Sequence, residues 1–160
     1  MLLSNCKVKW AKVHQVDRTF TPAWSIQVYV NSEQIEALKK AAREASAGKY
    51  DPAFKHDDDG TFITCTRKEK RKDGTENKPP RVVDLSKRDF KDDIGNGSVC
   101  NVIAAPFAYD AGGKKGVTMI LDAVQVVEWV EYKGSEDFED APAAPAAAGI
   151  GASADDDLPF

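Results

Sequence analysis

Ser25-Ile26-Gln27-Val28-Tyr29-Val30 runs directly into Asn31-Ser32-Glu33-Gln34-Ile35-Glu36-Ala37-Leu38. The first six residues alternate, with Ile26, Val28 and Val30 on one face and Tyr29 on the other. That is the pattern of a half-buried strand. The period then changes. Ile35, Leu38, Ala42 and Ala45 recur at helical spacing, Asn31 or Ser32 can cap the first turn, Glu33 suits its positive end, and Gly48 stops it. The spacing predicts a helix over about residues 32–47, set directly after a strand.

The flanking sequence is mostly strand. Cys6 to Val16 carries Val8, Trp10, Val13 and Val16 in imperfect alternation, which predicts a long strand with a bend or bulge. Asp57-Asp58-Asp59-Gly60 lacks the alternating ligands and terminal glutamate of a calcium loop and reads as a solvated turn. Thr61 to Lys68 is another strand. Lys70 to Lys78 forms a basic hairpin tip around Asp73-Gly74, and the chain returns through Arg81-Val82-Val83-Asp84-Leu85. Ile94-Gly95-Asn96-Gly97-Ser98 precedes a strand, so it reads as a tight turn or bulge rather than a phosphate cradle. Ser98 to Tyr109 and Val117 to Tyr132 are long β-rich stretches joined by a turn over 110–116. Several strands and one helix predict a small barrel or sandwich with an inserted helix and long hairpins.

The chain has 160 residues, enough for one domain and an appendage. Its composition is that of an ordinary soluble protein, and no apolar run approaches the ~20 residues that span a bilayer. The amino terminus lacks the basic and apolar regions of a signal peptide, so a cytoplasmic location is expected. Cys6, Cys65 and Cys100 are scattered and odd in number, which predicts reduced, buried thiols. With His14 and His56 they show no zinc-ligand spacing. No nucleophile motif or carboxylate cluster points to catalysis, so neither an enzyme, a metal nor a cofactor is expected.

Charge divides the chain. From Lys133 onward one base faces seven acids, a net of −6, whereas residues 1–132 hold 21 bases against 19 acids, a net of +2. The same boundary begins a stretch rich in alanine, proline and glycine, with too little bulk to repay the entropy of ordering. We therefore expect a folded domain over 1–132 and a disordered linker and tail over 133–160.

A mildly basic body hints at a polyanionic partner. Ten bases and five acids lie between Arg67 and Lys91, and such a hairpin could track a phosphate backbone. The phosphate-contacting candidates are Lys7, Lys9, Lys12, Arg18, Arg67, Lys68, Lys70, Arg71, Lys72, Lys78 and Arg81. Single-stranded nucleic acid also needs rings on which bases stack. Trp10, Phe20, Trp24, Tyr29, Phe62, Phe107 and Tyr109 are the candidates, each lying near bases or on a strand face. A solvated hairpin and rings packed in the core are the ordinary alternatives. Phe54, Phe90 and Trp129 are assigned to packing.

The terminal Asp155-Asp156-Asp157-Leu158-Pro159-Phe160 resembles the acidic tip of bacterial single-stranded DNA-binding proteins. The body is similar instead to bacteriophage-encoded single-stranded DNA-binding proteins, through Lys7-Val8-Lys9-Trp10-Ala11-Lys12-Val13, Phe20-Thr21-Pro22-Ala23-Trp24, Gly95-Asn96-Gly97-Ser98 and Leu121-Asp122-Ala123-Val124-Gln125-Val126-Val127. The resemblance implies an OB-fold barrel and non-catalytic binding of single-stranded DNA. It also implies roles in phage replication, recombination and repair inside the infected bacterial host. It makes Asp155 to Phe160 a recruiting peptide for replication and recombination proteins, and leaves a monomer or a homodimer open. The linker is shorter than the glycine- and glutamine-rich linkers of bacterial relatives. Aspartates would steer the tip to a basic rim, while the Phe160 ring and carboxylate anchor it. The competing reading is a protein-interaction adaptor with a basic hairpin and no nucleic-acid role.

Overall fold

The computed structural model describes residues 1–19, 21–71, 73–111 and 113–131. Phe20, Lys72 and the tail Asp155–Phe160 lie outside them, as does the expected linker. The alternating segment is a strand, β2 (Ala23–Tyr29), and the helix α1 (Ser32–Ala45) follows it. Asn31 is the cap: its side chain accepts from the Gln34 N–H, and the Gln34 side chain accepts from the Asn31 N–H. Leu38 and Ala42 are buried as the spacing predicts, but Ala45 is exposed. Gly48, at φ +81°, takes the left-handed turn that ends the helix.

The other strands are β1 (Leu2–Asp17), β3 (Lys55–Asp57), β4 (Gly60–Lys68), β5 (Arg81–Val83), β6 (Val99–Ala111) and β7 (Lys114–Glu128). Their order is β3-β4-β2-β1-β6-β7-β5, and a parallel β4–β7 pairing closes the ring. The ring β1-β2-β4-β7-β6 is therefore a five-stranded barrel, mainly β with one helix. This is the OB fold. Its interior is filled by Val8, Ile26, Val28, Ile63, Cys65, Val102, Met119, Leu121 and Val124, with Leu38 of α1 packed against them.

β1 serves two neighbours. Its first half pairs with β6, from Leu2 opposite Ile103 to Lys7 opposite Val99, and its second half pairs with β2. Between Lys9 (opposite Gln27) and Lys12 (opposite Ser25) three steps on β1 match two on β2, which is the expected bulge. Trp10 sits there at φ +51°, and its N–H donates to Asn96 Oδ1 at 2.8 Å. The 94–98 segment is the expected tight entry to β6. A Cβ on Gly95 would lie 2.5 Å from the Val130 and Glu131 carbonyl oxygens, so only glycine lets these backbones meet. The buried Ser98 hydroxyl donates to Gly95 O (2.8 Å) and accepts from Val130 N–H (2.8 Å), tying the start of β6 to the end of β7.

Two expectations need correction. The segment returning through Arg81–Leu85 does not continue a hairpin with β4. The hairpin tip pairs at Lys70–Glu76, with backbone bonds Arg71 N–H to Thr75 O and Asn77 N–H to Glu69 O, and β5 then crosses to pair in parallel with β7, because Pro79 and Pro80 have no N–H with which to extend a ladder. Trp129 is not a core ring. It is 45% exposed, its edge meets Phe90 and its indole N–H donates to Asp93 O (2.9 Å). The Asp57–Gly60 turn is solvent-exposed as expected, and Lys55–Asp57, not anticipated, forms a short strand paired to β4, so the turn closes a hairpin.

Cys6, Cys65 and Cys100 are free and buried, with Cys6 directly opposite Cys100. Burial pushes the Cys65 and Cys100 thiols up to about 12. An aromatic disulfide reagent at mildly alkaline pH is thus expected to leave all three unreacted in the folded protein and to modify all three in denaturant. Rapid modification of any one in the folded state would contradict this packing.

Candidate nucleic-acid interface

Residues that point away from the barrel interior on adjacent strands share one outer face. Between β2 and β4 the register sets Tyr29 beside Phe62, Gln27 beside Thr64, Ser25 beside Thr66 and Ala23 beside Lys68. On the β1 side Lys9 stands next to Gln27 and Lys12 next to Ser25; on the β3 side Lys55 stands next to Phe62. From Tyr29 to Ala23 this face runs roughly 20 Å at strand rise. It has an aromatic end, a neutral hydrogen-bonding middle and lysines along both margins.

At the aromatic end the Tyr29 and Phe62 ring centroids lie 5.3 Å apart, tilted by 46°. The Lys9 ammonium lies over the Tyr29 ring, 5.4 Å from its centroid. Lys9 also forms an ion pair with Asp59, and the Tyr29 hydroxyl donates to Asp57. The Asp59 bond holds the Lys9 ammonium above its ordinary pKa, and the Tyr29 bond holds Asp57 below the usual carboxylate range. Desolvation first, then the Asp57 contact, raises the Tyr29 phenol.

The other candidate rings divide. Phe107 is 54% exposed and Tyr109 is exposed on the outer face of β6. Tyr109 lies opposite Gly116, where a Cβ would come within 2.9 Å of the phenol oxygen, so the glycine leaves room for the ring to lie across the hairpin. Trp10 is 58% exposed at the β1 bulge, against the 94–97 turn. Trp24 and Phe62 correct the expectation of available rings: they are only 6% and 8% exposed. Trp24 has the inward parity of Ile26 and Val28, and Phe62 is covered by its Tyr29 neighbour.

Among the cations, Arg67 is engaged in the fold. Its Nε donates to Lys78 O at 2.7 Å and its guanidinium lies 3.6 Å from Asp122, which pins the basic hairpin to β7. Arg18 forms a two-pronged pair with Glu69 (3.0 and 3.3 Å), and Arg71 donates to Asn77. Arg81 reaches Lys87 O at 3.5 Å, and Lys12 pairs with Asp17 at 3.5 Å. Lys7, Lys68, Lys70 and Lys78 are exposed and make no ion pair among the described residues. Sequence reasoning missed Lys55, Gln27, Ser25, Thr64 and Thr66 as parts of this face. It also missed Asp57 and Asp59, whose role depends on the unanticipated β3–β4 hairpin.

No protein-family model matches the chain, and no curated protein matches it. Solved structures share the fold. The single-stranded DNA-binding protein from bacteriophage Enc34, in complex with single-stranded DNA, superposes with a TM-score of 0.58 at 14% identity, over 83% of this chain and 88% of that one. The single-stranded DNA-binding protein gp2.5, encoded by bacteriophage T7, superposes with a TM-score of 0.61 at 18% identity, over 92% and 99%. At these identities the likeness establishes the fold.

Proposed function

We propose that this chain is a sequence-independent single-stranded DNA-binding protein. It coats and protects DNA during phage replication and recombination, and recruits partner proteins through Asp155–Phe160. The observation that carries the reading is the outer face of β1-β2-β4. It sets an aromatic platform at Tyr29 and the neutral hydrogen-bonding groups of Gln27, Ser25, Thr64 and Thr66 among Lys9, Lys12, Lys55 and Lys68. OB folds bind oligonucleotides on this part of the barrel and on the flanking loops. Stacking on a ring tolerates every base, and lysines meet phosphates whatever the sequence, so the face reads no code. Phe107 and Tyr109, on the β6–β7 hairpin, extend the stacking surface at its flank. The likeness to two barrels whose descriptions name single-stranded DNA supports the same reading.

The reading assigns no catalysis, and places the protein in the cytoplasm of the infected host. No helix among the described residues is long and apolar enough to cross a membrane. Residues 1–132 act as the binding domain and 133–160 as linker and recruiting tail, in a monomer or a homodimer.

Titration of the full-length protein with fluorescent oligo-dT and mixed-sequence oligomers tests the DNA arm. Affinities within a few-fold of each other are expected, with duplex bound more weakly. Capture of acidic proteins without measurable affinity for any oligomer would establish the adaptor reading instead. Deleting Asp155–Phe160 is expected to abolish capture of replication proteins and leave the DNA arm intact.

A further inference from the structure

The acids at the aromatic end have a consequence for how that end opens. Asp57 ends β3 and Asp59 lies in the turn to β4, and each holds one member of the Lys9–Tyr29 pair: Asp57 the phenol, Asp59 the ammonium. While Asp59 keeps Lys9 in place, the ammonium lies over the Tyr29 ring and Phe62 flanks it. The ring that best suits a base is therefore occupied in the free protein. We propose that the Asp57–Asp59 turn is an intramolecular stand-in for a DNA phosphate, a latch that holds Lys9 over Tyr29 until a polynucleotide phosphate replaces the carboxylate.

The exchange is physically cheap. Asp59 is exposed and Lys9 only partly buried, so solvent reaches the pair and screens it. A phosphate arriving with its neighbours on a strand already held by Lys12 and Lys68 competes at high local concentration. Lys9 then swings from ring to phosphate and uncovers Tyr29 for stacking in the same movement. Asp58, in the same turn, has no hydrogen bond or ion pair to a side chain among the described residues. It adds the same charge without holding the latch.

Counterions make the latch measurable. In the wild type, binding releases the cation that accompanied the phosphate, but the freed Asp59 gathers one in its place. In Asp59→Asn the release is uncompensated. The slope of log K against log salt should therefore steepen by about 0.7, the increment for one phosphate on a single strand. Affinity at low salt should rise about two- to fivefold, within the range of an exposed ion pair. The inference rests on the DNA-binding reading, and the experiment separates the two. Full-length wild type, Asp58→Asn, Asp59→Asn, Lys9→Met and the Lys9→Met/Asp59→Asn double variant are titrated with oligo-dT from about 50 to 200 mM salt. The expected result is a tighter, steeper Asp59→Asn, little change in Asp58→Asn, and no effect of Asp59→Asn once Lys9 is gone. An equal gain in Asp58→Asn would reduce the effect to net charge and overturn the latch. Weaker or unchanged binding by Asp59→Asn would overturn it too, by showing that the carboxylate positions Lys9 for DNA or is idle. Failure of the wild type to bind would remove the functional reading itself, and the latch with it.

Discussion

Trp24→Ala is expected to lower the free energy of unfolding by about 3–5 kcal/mol, the usual cost of deleting a large buried ring, while the molecules that remain folded bind single-stranded DNA as before. Trp24 lies on β2 with the inward parity of Ile26 and Val28 and is almost wholly buried. Its sheet neighbour across β4 is Arg67, which holds the basic hairpin through Lys78 O and faces Asp122. Removing the indole therefore leaves a cavity where the barrel meets that hairpin. Denaturant unfolding gives the stability, and oligo-dT titration at a temperature where the variant is folded gives the affinity. A tenfold loss of affinity with unchanged stability would show that the ring faces DNA.

Tyr29→Ala carries the opposite signature. Loss of one stacked base should weaken DNA binding by about 1–3 kcal/mol, roughly fivefold or more, at little cost in stability. Tyr29 is half-buried on the outer face, so its removal sacrifices the contact with Phe62 and the bond to Asp57 but opens no hole in the core. Tyr29→Phe keeps the ring and loses only that bond, so it should retain most of the affinity. If Tyr29→Ala bound DNA normally, stacking on this face would be excluded and the site would have to move toward Phe107 and Tyr109. Because Trp24 and Tyr29 share one strand, five residues apart, the pair of variants separates fold from function.

Much of the fold was legible from local signals. Period-two alternation marked β2, helical spacing and an Asn31 cap marked α1, and broken alternation in Cys6–Val16 marked the β1 bulge. Barrel closure was not legible, because the β4–β7 pairing joins segments more than 50 residues apart and leaves no local trace. The short β3 was hidden for a related reason. Lys55-His56-Asp57 is wholly exposed, so it shows no hydrophobic alternation to read. Phe62 and Trp24 show the limit for the site. An aromatic residue next to bases looks the same in sequence whether it lies on the surface or beneath a neighbour. Tyr29 was readable because its strand alternates cleanly, whereas the latch acids were not, since their role exists only through the β3–β4 register.

Binding of single-stranded DNA by the barrel is the central claim, and the salt dependence of oligo-dT affinity tests it most directly. With about five phosphates neutralised by the lysine margins, log K for the full-length protein should fall against log salt with a slope of roughly −3.5. Undetectable binding at low salt, or an affinity indifferent to salt, would contradict it.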